Sequence, residues 1–220
     1  MRKEDLNRIM KYKNNDPFIR IFDFLRFCLK EEAQEPASLE DMDWDELYAF
    51  GNKQAILGVL FHGIKKLSDS PHRPNKQQIL KWYAACSFIE QANRQAYKDA
   101  SALTTLLQEK YGVHGCVLKG QTNALMYPDP YMRTSGDIDL WTDAKTLDII
   151  RISRQLDPKG EIGYHHIELS YFKTPVEVHF FPSFMGNVWH EYKLRKFFDQ
   201  CKNEQFKHQT ALPDGLGKIY

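Results

Sequence analysis

The sequence predicts an α+β fold, a helical first half joined to a mixed β-sheet with flanking helices. The main observation is a change of pattern. Up to Tyr111 the apolar residues recur at helical spacing, whereas from Gly112 onward short runs alternate at period two between turn-forming residues. The second observation is capacity. A chain of 220 residues, 42% hydrophobic and 13% aromatic, buries one sizeable core or one α/β domain with a helical attachment. The expected division is 1–111 as a helical region packed on the core and 112–220 as the α/β core with a C-terminal helix.

In chain order, Pro17 to Glu32 reads as an amphipathic helix whose wide apolar face includes Phe24, Phe27 and Cys28. The acidic stretch EEAQEPASLEDMDWDEL contains Pro36 and reads as a loop leading into a helix near Asp43, where a short acid caps the free N–H groups. A further helix covers roughly Lys53 to Leu67. The polar run SDSPHRPN ends this block, and Asn75 to Tyr111 carries one long helical pattern through Leu80, Trp82, Cys86, Ala96 and Leu107.

Beyond Gly112, VHGCVLK reads as a buried strand and Thr122 to Tyr127 as a short helix. The Pro-rich loop YPDPYMRTSG then leads into a strand, DIDLWT. Ala144 to Leu156 fits an amphipathic helix. Two alternating runs, Tyr164 to Phe172 and Pro175 to Phe181, predict a hairpin joined by Lys173 and Thr174, although the Asn-Gly or Gly signal of a tight turn is missing. Trp189 to Gln200 reads as the C-terminal helix. The tail QTALPDGLGKIY carries no evident stop, so the expectation is a longer parent protein that continues into more helices.

The chemistry concentrates between Val117 and Trp141. Asp137 and Asp139 alternate with Ile138 and Leu140, so a strand holds both acids on one face and both apolar residues on the other. Neighbouring carboxylates repel unless a cation, a base or water separates them, and Mg²⁺ takes one or two carboxylates together with phosphate oxygens and waters. Upstream, Lys119 and Gly120 sit between an apolar strand and the helix-like TNALMY, a turn whose converging N–H groups suit a phosphate. In PVEVHFF, Glu177 and His179 share one face, and Glu177 is its carboxylate.

These residues resemble the DNA polymerase beta-like nucleotidyltransferase superfamily, with its glycine turn, its acid pair one residue apart and its third acid on a later strand. Nearer still is a poorly characterised bacterial group of nucleotidyltransferases with Lys-Gly at the turn, an arginine shortly before the acids, and Gly-Asp-Ile-Asp-Leu. Here those positions are Lys119, Gly120, Arg133 and Gly136 to Leu140, and the resemblance runs from about Gly115 to Pro182. It implies a nucleotidyltransferase-like mixed sheet. It also implies Asp137, Asp139 and Glu177 as catalytic ligands of two Mg²⁺ (or Mn²⁺) ions, with Lys119, Gly120, Arg133 and Ser135 contacting a nucleoside triphosphate. The implied reaction moves a nucleoside monophosphate onto a hydroxyl of an acceptor, small or macromolecular. The chain departs from the superfamily at Gln121, where many members place a phosphate-holding serine.

Other readings stand beside this one. The same acids suit a metal-dependent phosphohydrolase, or a fold that binds a nucleotide or a partner without turnover. Arg133 either pairs with Asp129 or meets a triphosphate. His165, His166, Glu168, Glu177 and His179 offer zinc ligands, but their spacing matches no closed structural motif. His179 either orients Glu177, lines an acceptor pocket or packs in the sheet. Tyr127, Tyr131 and Trp141 either stack on a base or fill the core. With 30 basic and 29 acidic side chains there is no global field to gather nucleic acid. Four scattered cysteines, an N-terminal stretch MRKEDLNRIMKYKNND without an apolar signal core, and no apolar run near the ~20 residues a bilayer needs point to a reduced, cytoplasmic protein without membrane partners.

Overall fold

The structure, a computed structural model, describes residues 17–31 and 34–220. The readings of the first sixteen residues and of Glu32 lie outside the described residues. The chain divides into two compact units. One holds the residues up to Gln91 together with Tyr127–Thr134, the other Ala92–Met126 together with Ser135–Tyr220.

The first unit is built from α1 (Pro17–Leu29), α2 (Trp44–Lys53), α3 (Leu57–Lys66) and the start of α4 (Lys76–Tyr111). Their apolar faces close over Phe24, Cys28, Leu47, Leu60, Leu67 and Trp82, with Phe24 edge-on to Trp44 at 5.4 Å. Asp43 caps α2 as expected, accepting the N–H groups of Asp45 and Glu46. The helix expected from Lys53 begins instead at Leu57. Between the two helices Ala55 takes a left-handed φ of 57°, while the Ile56 N–H reaches Gly51 O (2.9 Å) and the Ala55 N–H reaches Asn52 O (3.2 Å). That is the double hydrogen bond that ends a helix, with alanine where glycine is usual. Gly58 lets α3 approach the chain at Met132 so closely that a Cβ there would overlap the Met132 carbonyl oxygen. At the start of α4, Asn75 and Gln78 exchange side-chain-to-backbone hydrogen bonds in a capping box.

The second unit contains the rest of α4, a four-stranded sheet and three further helices. The strands are β1 (Gly115–Val117), β2 (Ile138–Thr142), β3 (His166–Leu169) and β4 (Val176–His179). They lie in the order β1-β2-β4-β3, with β2 and β4 parallel and the other neighbours antiparallel. The fold is therefore a mixed α+β one, as the sequence predicts. Helix α4 stops at Gly112, whose φ of 65° only glycine adopts at little cost. Helices α5 (Gln121–Ala124), α6 (Thr146–Leu156) and α7 (Val188–Gln205) follow. Ile138, Leu140, Ile167, Leu169, Val176 and Val178 are all buried and supply the apolar face of the sheet.

The predicted hairpin forms between β3 and β4, but shorter strands and a wider connection replace the two-residue turn. No residue of that connection has a positive φ, which a tight primed turn requires. The loop is pinned instead at Ser170, whose N–H goes to Asp157 Oδ2 (2.9 Å), and at Thr174, whose N–H goes to the buried Asp99 Oδ2 (2.9 Å). The tail forms an unforeseen ribbon, β5 (Thr210–Ala211) with β6 (Lys218–Ile219). Beyond it the Tyr220 carbonyl accepts the Val117 N–H of β1 (2.9 Å). On the opposite border, the Glu168 N–H meets Glu161 O and the Gly163 N–H meets His166 O, both at 2.9 Å. Among the described residues no helix is long and apolar enough to cross a membrane.

Candidate functional site

The register of β2 against β4 makes the site. Ile138 lies opposite Val176, Asp139 opposite Glu177 and Trp141 opposite His179. Since side chains alternate along a strand, burying Ile138, Leu140, Val176 and Val178 on one face sends Asp139, Glu177 and His179 to the other. Strand β3 adds to that second face, because Glu168 pairs with Glu177 and His166 with His179. Two acids far apart in sequence thus become cross-strand neighbours, with a row of imidazoles beside them.

Asp139 is the anchor. It is only 2% exposed, and its Oδ1 accepts from His179 Nε2 at 3.0 Å and from Lys119 Nζ at 3.2 Å. Burial alone would raise its pKa. The hydrogen bonds from His179 and Lys119 outweigh that cost and hold the carboxyl below its ordinary value, so Asp139 is an anion at neutral pH. His179 Nε2 also lies 3.4 Å from Glu177 Oε2, and His166 Nδ1 lies 3.6 Å from the same oxygen. Burial and the neighbouring imidazoles of His166 and His179 push the pKa of His165 down. An open cleft of roughly 530 Å³ lies over these groups, lined by Lys119, Asp139, His165, Glu177, His179 and Phe184, among others.

The residues singled out in the sequence fall at different places. Asp139 and Glu177 meet across the strand pair. Asp137 sits half-buried just before β2 and belongs to none of the groups of possible metal ligands whose atoms converge within 4.8 Å among the described residues. Those groups are Asp139 with Glu177 and His179, His165 with His166 and His179, and His166 with Glu168 and Glu177. Lys119 lies on the cleft, and Gly120, at φ 65°, caps the short α5. Ser135 is half-buried before β2, its Oγ donating to Gly136 O at 3.4 Å. Arg133 follows the short 3₁₀ turn of Tyr131 in the first unit. Asp129 there accepts the Tyr131 N–H and faces Lys65 Nζ at 4.0 Å. Tyr131 and Trp141 are buried, Trp141 against Phe198 and Phe206, so both pack. At the departure position, Gln121 is buried with neither side-chain polar atom hydrogen-bonded.

What the sequence reading missed is the bond from His179 to Asp139. Its signal was the alternation in VEVH, which put His179 beside Glu177, but the partner on β2 is set by non-local pairing.

A family model described as an uncharacterised nucleotidyltransferase matches residues 40–202, a span that contains Lys119, Gly120, Asp137, Asp139 and Glu177. The chain belongs to this nucleotidyltransferase family. Membership supports nucleotidyl transfer in general and a nucleotide substrate. Comparison with curated proteins and with solved structures gave no match. The donor set fits the divalent cation such enzymes generally use. An ionised buried aspartate, a glutamate across the strand pair and an imidazole nitrogen bring their ligand atoms within 4.8 Å of one another.

Proposed function

We propose that this nucleotidyltransferase moves a nucleoside monophosphate from a nucleoside triphosphate to a hydroxyl of an acceptor, using Asp139 and Glu177, together with Asp137 just before β2, to hold divalent cations. The observation that supports it is the pairing of Asp139 with Glu177 across parallel strands at the floor of an open cleft. Mg²⁺, or Mn²⁺, when bound supplies charge neutralisation at the phosphates and acidifies the acceptor hydroxyl. The chain's own groups do the rest. Asp139 is kept anionic by His179 and Lys119, so no proton need be displaced when a cation arrives. Lys119 already holds its ammonium 3.2 Å from Asp139 while its side chain is 61% exposed, so it is free to turn from the carboxylate to a phosphate. Gly120 and Ser135 offer further phosphate contacts. Glu177 stands on the acceptor side. The acceptor oxygen bonds to the α-phosphorus, the bond to the β-phosphate oxygen breaks, pyrophosphate leaves and the hydroxyl proton passes to water.

The test is a mass-spectrometric screen of the purified protein with Mg²⁺ or Mn²⁺, each nucleoside triphosphate and pooled acceptors. An acceptor heavier by one nucleoside monophosphate, with pyrophosphate released, is expected. Glu177→Gln should abolish the product while retaining nucleotide binding. Orthophosphate without any adduct would identify a phosphohydrolase, and undiminished transfer by Glu177→Gln would overturn the assignment.

A further inference from the structure

We propose that His165, His166 and His179 form a three-imidazole site for a borderline divalent cation, Zn²⁺ foremost, beside the carboxylate pair and sharing His179 with its donor set. The three rings cluster at the end of the β3–β4 ladder. Ring centroids are 4.6 Å apart for His165 and His166, 5.1 Å for His165 and His179, and 5.5 Å for His166 and His179. One nitrogen from each lies within 4.8 Å of the other two. Zn–N bonds of about 2.05 Å in a tetrahedron put ligand nitrogens roughly 3.4 Å apart. His165 Nε2 and His166 Nδ1 are already 3.4 Å apart.

His179 has a metal ligand's surroundings. Histidines that bind metals usually give their second nitrogen to a carboxylate, which fixes the tautomer and the ring plane. Nε2 of His179 lies 3.0 Å from Asp139 Oδ1, a carboxylate that fixes the ring plane. Its Nδ1 is buried without a hydrogen-bond partner. A buried ring nitrogen left without a partner is costly, and ligation of a cation is one way to satisfy it.

Chemistry separates the two ligand sets. Neutral imidazoles suit Zn²⁺, Co²⁺ and Ni²⁺, whereas Mg²⁺ prefers the charged oxygens of Asp139 and Glu177. His165 and His166 are only half-buried, which gives a cation a way in and leaves a fourth position for water or a substrate atom, as in open zinc sites.

Calorimetric titration of ZnCl₂ into the full chain in millimolar Mg²⁺ tests this, with His165→Ala and His166→Ala as variants and far-UV circular dichroism confirming their fold. The expected result is one Zn²⁺ per chain, undisturbed by Mg²⁺ and weakened at least about tenfold by either substitution. Co²⁺ should give the intense visible bands of a low-coordinate nitrogen site, lost in both variants. Absence of Zn²⁺ binding, its displacement by Mg²⁺, unchanged affinity in the variants, or the faint bands of six-coordinate Co²⁺ would each overturn the site. Neither nucleotide nor transfer enters the experiment, so its failure leaves the nucleotidyl-transfer reading untouched, and the reverse holds too.

Discussion

Replacing Asp139 by asparagine keeps the shape of the side chain and removes its charge. In sequence the neighbouring acids suggest that such a change relieves repulsion. The structure reverses that expectation for the metal-free protein, because Asp139 is already balanced by His179 and Lys119. The Lys119 side chain is mostly exposed, so water screens that contact to about 0–1 kcal/mol. The bond from buried His179 to a charged acceptor is worth about 1.5–3 kcal/mol. Against these stands the relief of no longer desolvating a carboxylate. The net expectation is a loss of about 1–2 kcal/mol. At roughly 2–4 °C per kcal/mol for a chain of this size, the melting temperature in EDTA at neutral pH should fall by about 2–8 °C. Affinity for the Mg²⁺ complexes of ATP and GTP should drop about tenfold or more, about 1.4 kcal/mol by titration calorimetry. The pH dependence has a definite sign. Because the folded-state pKa of Asp139 lies below its ordinary 3.8, its contribution is fully present above that value and is lost as pH falls through the folded-state pKa. The stability gap between wild type and variant should therefore be level from neutral pH down to about pH 5 and close in stronger acid. Equal melting temperatures at neutral pH together with equal nucleotide affinity, or a gap indifferent to acid, would refute the reasoning.

Ala55→Gly should raise stability by about 0.5–1 kcal/mol, since a left-handed non-glycine residue costs about 1–2 kcal/mol and part is returned as unfolded-chain entropy. Chemical denaturation checks it, and a destabilised variant would contradict the strain. Gly58→Ala should cost about 1–3 kcal/mol, because the new methyl meets the Met132 carbonyl and not a yielding side chain. An unchanged midpoint would show that this approach is looser than described. Burial pushes the thiols of Cys28 and Cys86 up to about 12 and that of Cys116 up to about 11, while Cys201 is only partly covered. A water-soluble thiol reagent should label Cys201 alone in the native protein and all four cysteines after unfolding, as read by peptide mass mapping.

Patterns confined to one stretch of chain were legible. The i, i+2 alternation from Asp137 to Leu140 marks a strand with an acid face, Asp43 marks a cap, and the apolar recurrence from Asn75 to Tyr111 marks a helix that ends at Gly112. What was not legible depends on pairing or on an uncommon residue. Nothing local in IDLW or VEVH states that these strands lie parallel with Asp139 opposite Glu177, which is why the sequence places His179 beside Glu177 and not against Asp139. The boundary expected near Lys53 falls short of the observed helix start at Leu57, because helix-ending turns usually advertise themselves with glycine and here Ala55 takes that place. The two-residue strands of the tail are too short to show any period.

The borders of the main sheet carry a consequence for solution behaviour. An open strand edge is a template on which another chain can add itself, and proteins guard against this by covering or interrupting the edge. Here the outer side of β1 is met by the Tyr220 carbonyl and the outer side of β3 by the main chain around Ile162. Both guards are only a few residues long. Cutting the chain before Lys218 would uncover the Val117 N–H and with it the short, apolar strand Gly115–Val117, turning a closed border into a site for strand addition and self-association. The pairing of Tyr220 with Val117 thus covers that border as well as packing the tail.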